Sequence, residues 1–175
     1  MEEITVTAQR REQSLQDVPI AITAFTADQL EQRQVFNTYD LVRNIPNLTG
    51  NSNVGVGTSS SLYIRGIGNG ESIATFDLPV GTYVDDVYIS RQNHNNFSMF
   101  DVERIEVLRG PQGTLFGRNT TGGAINVVMK KPGTEYQGYV EAGVGRFSLV
   151  TARGSVDLPI SDTLLTKFSA YRVTD

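Results

Sequence analysis

The chain contains no cysteine and no tryptophan, and a single histidine, His94. Without cysteine there can be no disulfide and no thiolate metal site, and the redox compartment is left open. No carboxylate-rich or histidine-rich spacing accompanies His94, so no metal-ligand role and no cofactor is expected. No apolar run reaches the roughly 20 residues that a membrane-spanning helix needs. Positive charge is also in short supply: the net charge is −4, which removes the electrostatic case for nucleic-acid binding. There is no G-x-S-x-G elbow to position a serine nucleophile, so nothing supports an enzyme. Glu2 and Glu3 follow Met1 directly, where an export signal would place a basic region and an apolar stretch.

What is present suffices for a folded domain. With 39% hydrophobic and 19% charged residues in 175, the chain is long and apolar enough to bury a core. Its most informative stretch is Asp101 to Pro132, DVERIEVLRGPQGTLFGRNTTGGAINVVMKKP. Val102, Ile105, Val107 and Leu108 alternate loosely with Glu103, Arg104, Glu106 and Arg109, which predicts one strand. Ala124 to Met129 is nearly all apolar, as expected of a strand covered on both faces. Five glycines from Gly110 to Gly123 mark a connection that turns tightly or approaches other backbone closely. It is not a P-loop: Gly113 and Gly117 are spaced too closely and Arg118 stands where lysine is required.

That stretch resembles, almost residue for residue, the signature of TonB-dependent outer-membrane receptors, E-R-I-E-V-L-R-G-P followed by G-G-x-I-N-V-V-x-K-K-P. The resemblance extends to the I-R-G of Ile64–Gly66, the Y-V-D of Tyr83–Asp85 and the I-P-N-L of Ile45–Leu48. It implies an α+β fold: a plug domain, a small mixed sheet with short helices and long loops, followed by about three antiparallel strands of an incomplete transmembrane β-barrel. The expected divisions are residues 1–16, a TonB box and flexible tether; 17–131, the plug; and 132–175, the first barrel strands. It further implies energised uptake of a scarce ligand, a ferric siderophore or related nutrient, with TonB, that ligand and outer-membrane lipid as partners. An export signal would then have been removed, or the sequence begins at the mature terminus. The alternative is a truncated soluble module that binds TonB or ligand without transport.

Glu3, Ile4, Thr5, Val6, Thr7 and Ala8 alternate with β-branched residues at most positions. At the start of a plug-like chain they resemble the TonB box, an extended segment that a partner pairs with by strand addition. Gln9 to Gln16 reads as a polar tether. Val18 to Phe25 reads as a strand, and Thr26 with Gln29 has the form of a capping box that opens a helix to about Gln34. Asn37 or Thr38 caps a second helix through Asn44, ended by Pro46. Gly50 to Ser61, rich in Gly, Ser, Asn and Thr, predicts a mobile loop. Leu62 to Gly66 and Val80 to Ile89 predict strands, with Asp86 where the family often has glycine and a tight turn.

The resemblance assigns the loops Ile67 to Asp77 and Ser90 to Asn96 to ligand contact. Gly68, Asn69, Ser90, Arg91, Gln92, Asn93 and His94 are the named candidates, several of them donors or acceptors suited to a polar or anionic ligand. It also implies that Arg65, Glu103, Arg104, Glu106 and Arg109 meet opposite charges on the barrel wall. After Pro132, three segments alternate with period two. Val150, Ala152, Val156, Leu158 and Ile160 share one face, and Thr151, Arg153, Ser155 and Asp157 the other. Both a transmembrane barrel strand and a soluble meander produce this pattern.

Overall fold

The computed structural model describes residues 4–8, 10–11, 13–52, 59–71, 73 and 76–174. The chain divides into two units, Met1–Met129 and Lys130–Asp175.

The first unit is built on a mixed five-stranded sheet in the order β3-β9-β10-β7-β8. Its strands are β3 (Ile22–Thr26), β7 (Val80–Val84), β8 (Val87–Ile89), β9 (Val102–Arg109) and β10 (Gly123–Met129). β10 runs parallel to β7 and antiparallel to β9, which in turn pairs antiparallel with β3. Two small sheets flank it. One joins β1 (Thr5–Val6) to β2 (Gln13–Ser14), and the other joins β4 (Leu48–Ser52), β5 (Ser60–Ile64) and β6 (Ile67–Gly68).

Because side chains alternate along a strand, the central sheet has two buried faces. Phe25, Ile105, Val107, Ile125 and Val127 join one core with Leu30, Leu41 and Ile45. Ala24, Tyr83, Leu108 and Ala124 join a second with Val6, Ala8, Val18 and Phe116. Each fully buried isoleucine or valine contributes about 1.5–3 kcal/mol relative to exposure.

The helical elements follow their caps. Thr26 and Gln29 close a reciprocal capping box at the start of α1 (Ala27–Gln32), and Gln34 at φ 54° ends that turn of chain. Asn37 Oδ1 accepts from Asp40 N at 3.1 Å, opening a 3-10 helix over Thr38–Arg43. A one-turn helix, α2 (Gly113–Phe116), interrupts the glycine-rich β9–β10 connection.

Four expectations need correction. Val18 to Phe25 is a strand only from Ile22. The stretch Gly50 to Ser61 is not one loop: its described ends are β4 and β5, paired from Leu48↔Ile64 to Ser52↔Ser60. The strand read through Gly66 stops at Ile64, where Arg65 and Gly66 at φ 53° and 79° turn it into β6. Val80 to Ile89 is likewise a hairpin, and the tight turn survives without glycine. Asp85 and Asp86 take φ 44° and 67°, a turn that Asp tolerates better than most residues.

The second unit is an antiparallel meander of β11 (Gln137–Val144), β12 (Val150–Ser161) and β13 (Leu164–Thr174). Its polar face is internally paired: Lys167 Nζ lies 3.2 Å from Asp157, Arg153 lies 2.7 Å from Glu141, and Ser155 meets Ser169 at 2.9 Å. Val140 and Val144 on the other face are 91% and 90% exposed, and Ile160 and Phe168 are exposed with them. The register shifts beside Pro159, which has no N–H for the ladder.

Candidate functional site

The N-terminal segment is folded onto the sheet. Glu3 lies outside the described residues. Thr5 pairs with Ser14 and Val6 with Gln13, and Leu15 N donates to Ile4 O at 2.9 Å. Arg10, at φ 57°, donates its N–H to Thr7 O at 2.8 Å, closing the hairpin from inside. Alternation sends Val6 and Ala8 into the second core, where both are 0% exposed, and leaves Thr5 outside. Of the stretch Gln9 to Gln16, read as a tether, Gln13 and Ser14 form β2 and Leu15 begins a 3-10 turn. Burial of Val6 and Ala8 and the β1–β2 pairing hold it down.

Beneath Thr7 lies Glu106, fully buried in the interior strand β9. Its Oε1 accepts from Thr7 N at 2.8 Å, Thr7 Oγ1 at 3.1 Å and Arg104 Nε at 2.9 Å, while Asn126 Nδ2 reaches Oε2 at 3.5 Å. Arg104 Nη2 donates in turn to Thr7 Oγ1 at 3.2 Å, and its Nη1 pairs with Glu103. A buried carboxylate is tolerated only when its acceptor sites are filled in this way. Glu106 and Arg104 thus make these bonds within this unit. Glu103 and Arg65 are more exposed, and Arg109 is partly buried with its N–H donating to Ala21 O at 2.8 Å.

A second anchor centres on Arg10, which the sequence did not single out. Arg10 donates from Nε to Leu115 O at 2.8 Å, lies 5.4 Å over the Phe116 ring and approaches Asp86 at 3.4 Å. Tyr83 donates its hydroxyl to Phe116 O at 2.7 Å and packs its ring edge-on to Phe116. Burial pushes the Tyr83 hydroxyl above its ordinary pKa, Tyr88 adds to the rise, and the Arg10 guanidinium opposes it. No local pattern marks Arg10; only its left-handed backbone and distant partners distinguish it.

The polar loops separate into inward and outward residues. Gln92 is buried and donates to Ser61 Oγ at 2.6 Å. Asn95 is buried too, bonded to Ser60 N, Oγ and O, and Asn96 Oδ1 accepts from Tyr39 N at 3.1 Å. Gln92 is thus turned inward, toward β5. Ser90, Arg91 and His94 are exposed, and Gly68, Asn69 and Asn93 are half-buried, with Asn69 Oδ1 accepting from Glu71 N at 3.0 Å.

A family model described as the TonB-dependent Receptor Plug Domain matches residues 14–124, well over half of the chain. The chain belongs to this family. The plug match takes in β2 through the start of β10, so Glu106 lies within it and Thr7 ahead of it. Among relatives, the pesticin receptor of Yersinia pestis is 32% identical over 146 residues, covering 83% of this chain and 21% of that protein. The vitamin B12 transporter BtuB of Vibrio vulnificus is 28% identical, covering 81% of this chain and 23% of its own length. Among solved structures, the ferric yersiniabactin uptake receptor FyuA from Yersinia pestis superposes with a TM-score of 0.78 at 29% identity. That match covers 87% of this chain and 24% of FyuA. The chain spans about a fifth of the length of the curated relatives it matches. The plug family is one of receptors and transporters, not enzymes.

Proposed function

We propose that this chain is the plug region, with the first barrel strands, of an outer-membrane receptor that takes up a scarce ligand using energy delivered through TonB. The observation that carries the reading is the plug fold itself, matched over residues 14–124 and preceded by an extended segment folded onto it. Glu3 to Ala8 form the TonB box in this reading, and TonB engages them by strand addition, a mode that relies on main-chain hydrogen bonds and tolerates varied side chains. Ser90, Arg91, Asn93 and His94, with Gly68 and Asn69, face the ligand. Arg65, Glu103 and Arg109 remain the residues offered to the barrel wall.

A ferric siderophore is the favoured ligand class, supported by the likeness to a ferric yersiniabactin receptor and to an iron-regulated outer membrane virulence protein of Vibrio cholerae, 29% identical. The exposed apolar face of Val140, Val144, Ile160 and Phe168 favours an outer-membrane location over a soluble module, because lipid is the solvent that suits such a face. Deleting residues 3–8 is expected to abolish binding of the TonB periplasmic domain, measured by calorimetry. Unchanged affinity would sink the box assignment.

A further inference from the structure

We infer that Asp157 clamps the chain where it enters the second unit, holding residues 133–137 against β12 and confining the joint between the units to Lys130, Lys131 and Pro132. The clamp stands whatever ligand or partner the receptor takes. In the ladder Asp157 faces Gln137 on one side and Lys167 on the other, so the side chains form one row across β11, β12 and β13. Gln137 Nε2 donates to Asp157 Oδ2 at 2.9 Å, and Lys167 Nζ lies 3.2 Å from Oδ1.

Gly133 completes the clamp from outside the ladder. It precedes β11, which begins at Gln137, yet its N–H donates to the same carboxylate. A Cβ added there would stand 2.6 Å from Gln137 Nε2 and 3.0 Å from Asp157 Oδ2. The chain therefore passes directly over the carboxylate, at a separation that only a residue without a side chain permits. Asp157 beneath it is 4% exposed, so these bonds are little screened, and bonds to an ionised acceptor are the stronger kind. Between the tied residues Gly133 and Gln137, the side chain of Tyr136 is 77% exposed. Lys130, Lys131 and Pro132 lie in no strand or helix and make none of these contacts, which leaves them as the joint.

The test is chymotryptic cleavage after Tyr136, read by mass spectrometry on the whole chain in detergent micelles. Hydrogen exchange in β11–β13 reports whether the meander stays folded. A protease needs the segment lifted and extended, so the cleavage rate follows the fraction of chains in which the clamp is open. Asp157→Ala removes the acceptor that the clamp shares, and should quicken cleavage about 10- to 100-fold. Gly133→Ala leaves Asp157 and β12 unchanged but drives a methyl group into the Gln137 amide, and should quicken it about 3- to 10-fold. Protection in β11–β13 should persist in Gly133→Ala. If Asp157→Ala loses protection throughout the meander, Gly133→Ala alone decides. Unchanged cleavage in Gly133→Ala, or in an Asp157→Ala variant that stays folded, overturns the clamp.

Discussion

Gly123 opens β10 at the glycine pair of the signature, and replacing it with alanine should cost more than its chemistry suggests. It takes φ +153°, a backbone region that side chains disfavour, and sits between Val80 of β7 and Arg109 of β9. An added Cβ would collide with the Leu108 carbonyl oxygen and lie 2.8 Å from Ile64 Cδ1. Ile64 has a side-chain end that can move; the Leu108 carbonyl belongs to the central ladder and cannot move without disturbing it. Backbone strain of about 1–3 kcal/mol and about 1 kcal/mol for a disturbed ladder bond together give about 2–4 kcal/mol. Gly117 is the control, since it also has a positive φ, +83°, but nothing lies within 4 Å of its added Cβ. With ψ −163° it lies in a region that essentially only glycine adopts, so its alanine variant should lose the backbone strain alone, about 1–3 kcal/mol. In urea, followed by tyrosine fluorescence, Gly123→Ala should lower the midpoint by about 1–2 M at unchanged slope. Gly117→Ala should lower it by less, the difference being about 1 kcal/mol for the ladder bond it leaves undisturbed. Equal losses at the two positions would refute the steric reasoning.

Tyr83→Phe should destabilise the plug by about 1–2 kcal/mol, because the buried Phe116 carbonyl loses its donor. The same variant tests the raised Tyr83 pKa. The folded state favours the neutral phenol, so its contribution is complete below the unfolded value near 10 and is lost as pH rises through the higher folded value. Melting temperature measured up to strongly alkaline pH should therefore fall less steeply in the variant, and identical profiles would remove Tyr83 from the account. Asp86→Gly should raise stability by up to about 1 kcal/mol, since relief of the left-handed turn outweighs an exposed pair with Arg10. A lower urea midpoint for that variant would show the ion pair to be the larger effect.

Legibility in the sequence tracked how local the cause was. Thr26 and Gln29 bond each other three residues apart, so the start of α1 could be read directly, as could the cap at Asn37. The period-two faces of β11–β13 were equally plain, because each strand carries its own pattern. The arm formed by β4 and β5 was not. Its Gly, Ser and Asn composition signals a loop, yet Ser60 is held by Asn95 and Ser61 by Gln92, each from more than 30 residues away. The polar loop and the polar arm satisfy one another, so each looks solvated when read alone. Glu106 is the extreme case, for a charged residue inside an alternating run reads as an exposed strand face until its partner Thr7 is located.

The burial of Glu106 also bears on how readily the N-terminal hairpin can be lifted. Both faces of β9 are covered, Ile105 and Val107 by one core and Leu108 by the other, and residues before the family match take part in the second. Had that floor been wholly apolar, release of the segment would expose only hydrocarbon, at about 25 cal/mol for every Å² uncovered. Here part of the floor is Glu106, Arg104 and Asn126, groups that water solvates well once they are uncovered. The desolvation that makes a buried ion pair poor value for stability is recovered when the hairpin leaves. A floor of this composition grips firmly while closed through oriented, unscreened bonds, yet adds less to the free energy of opening than leucines of the same area.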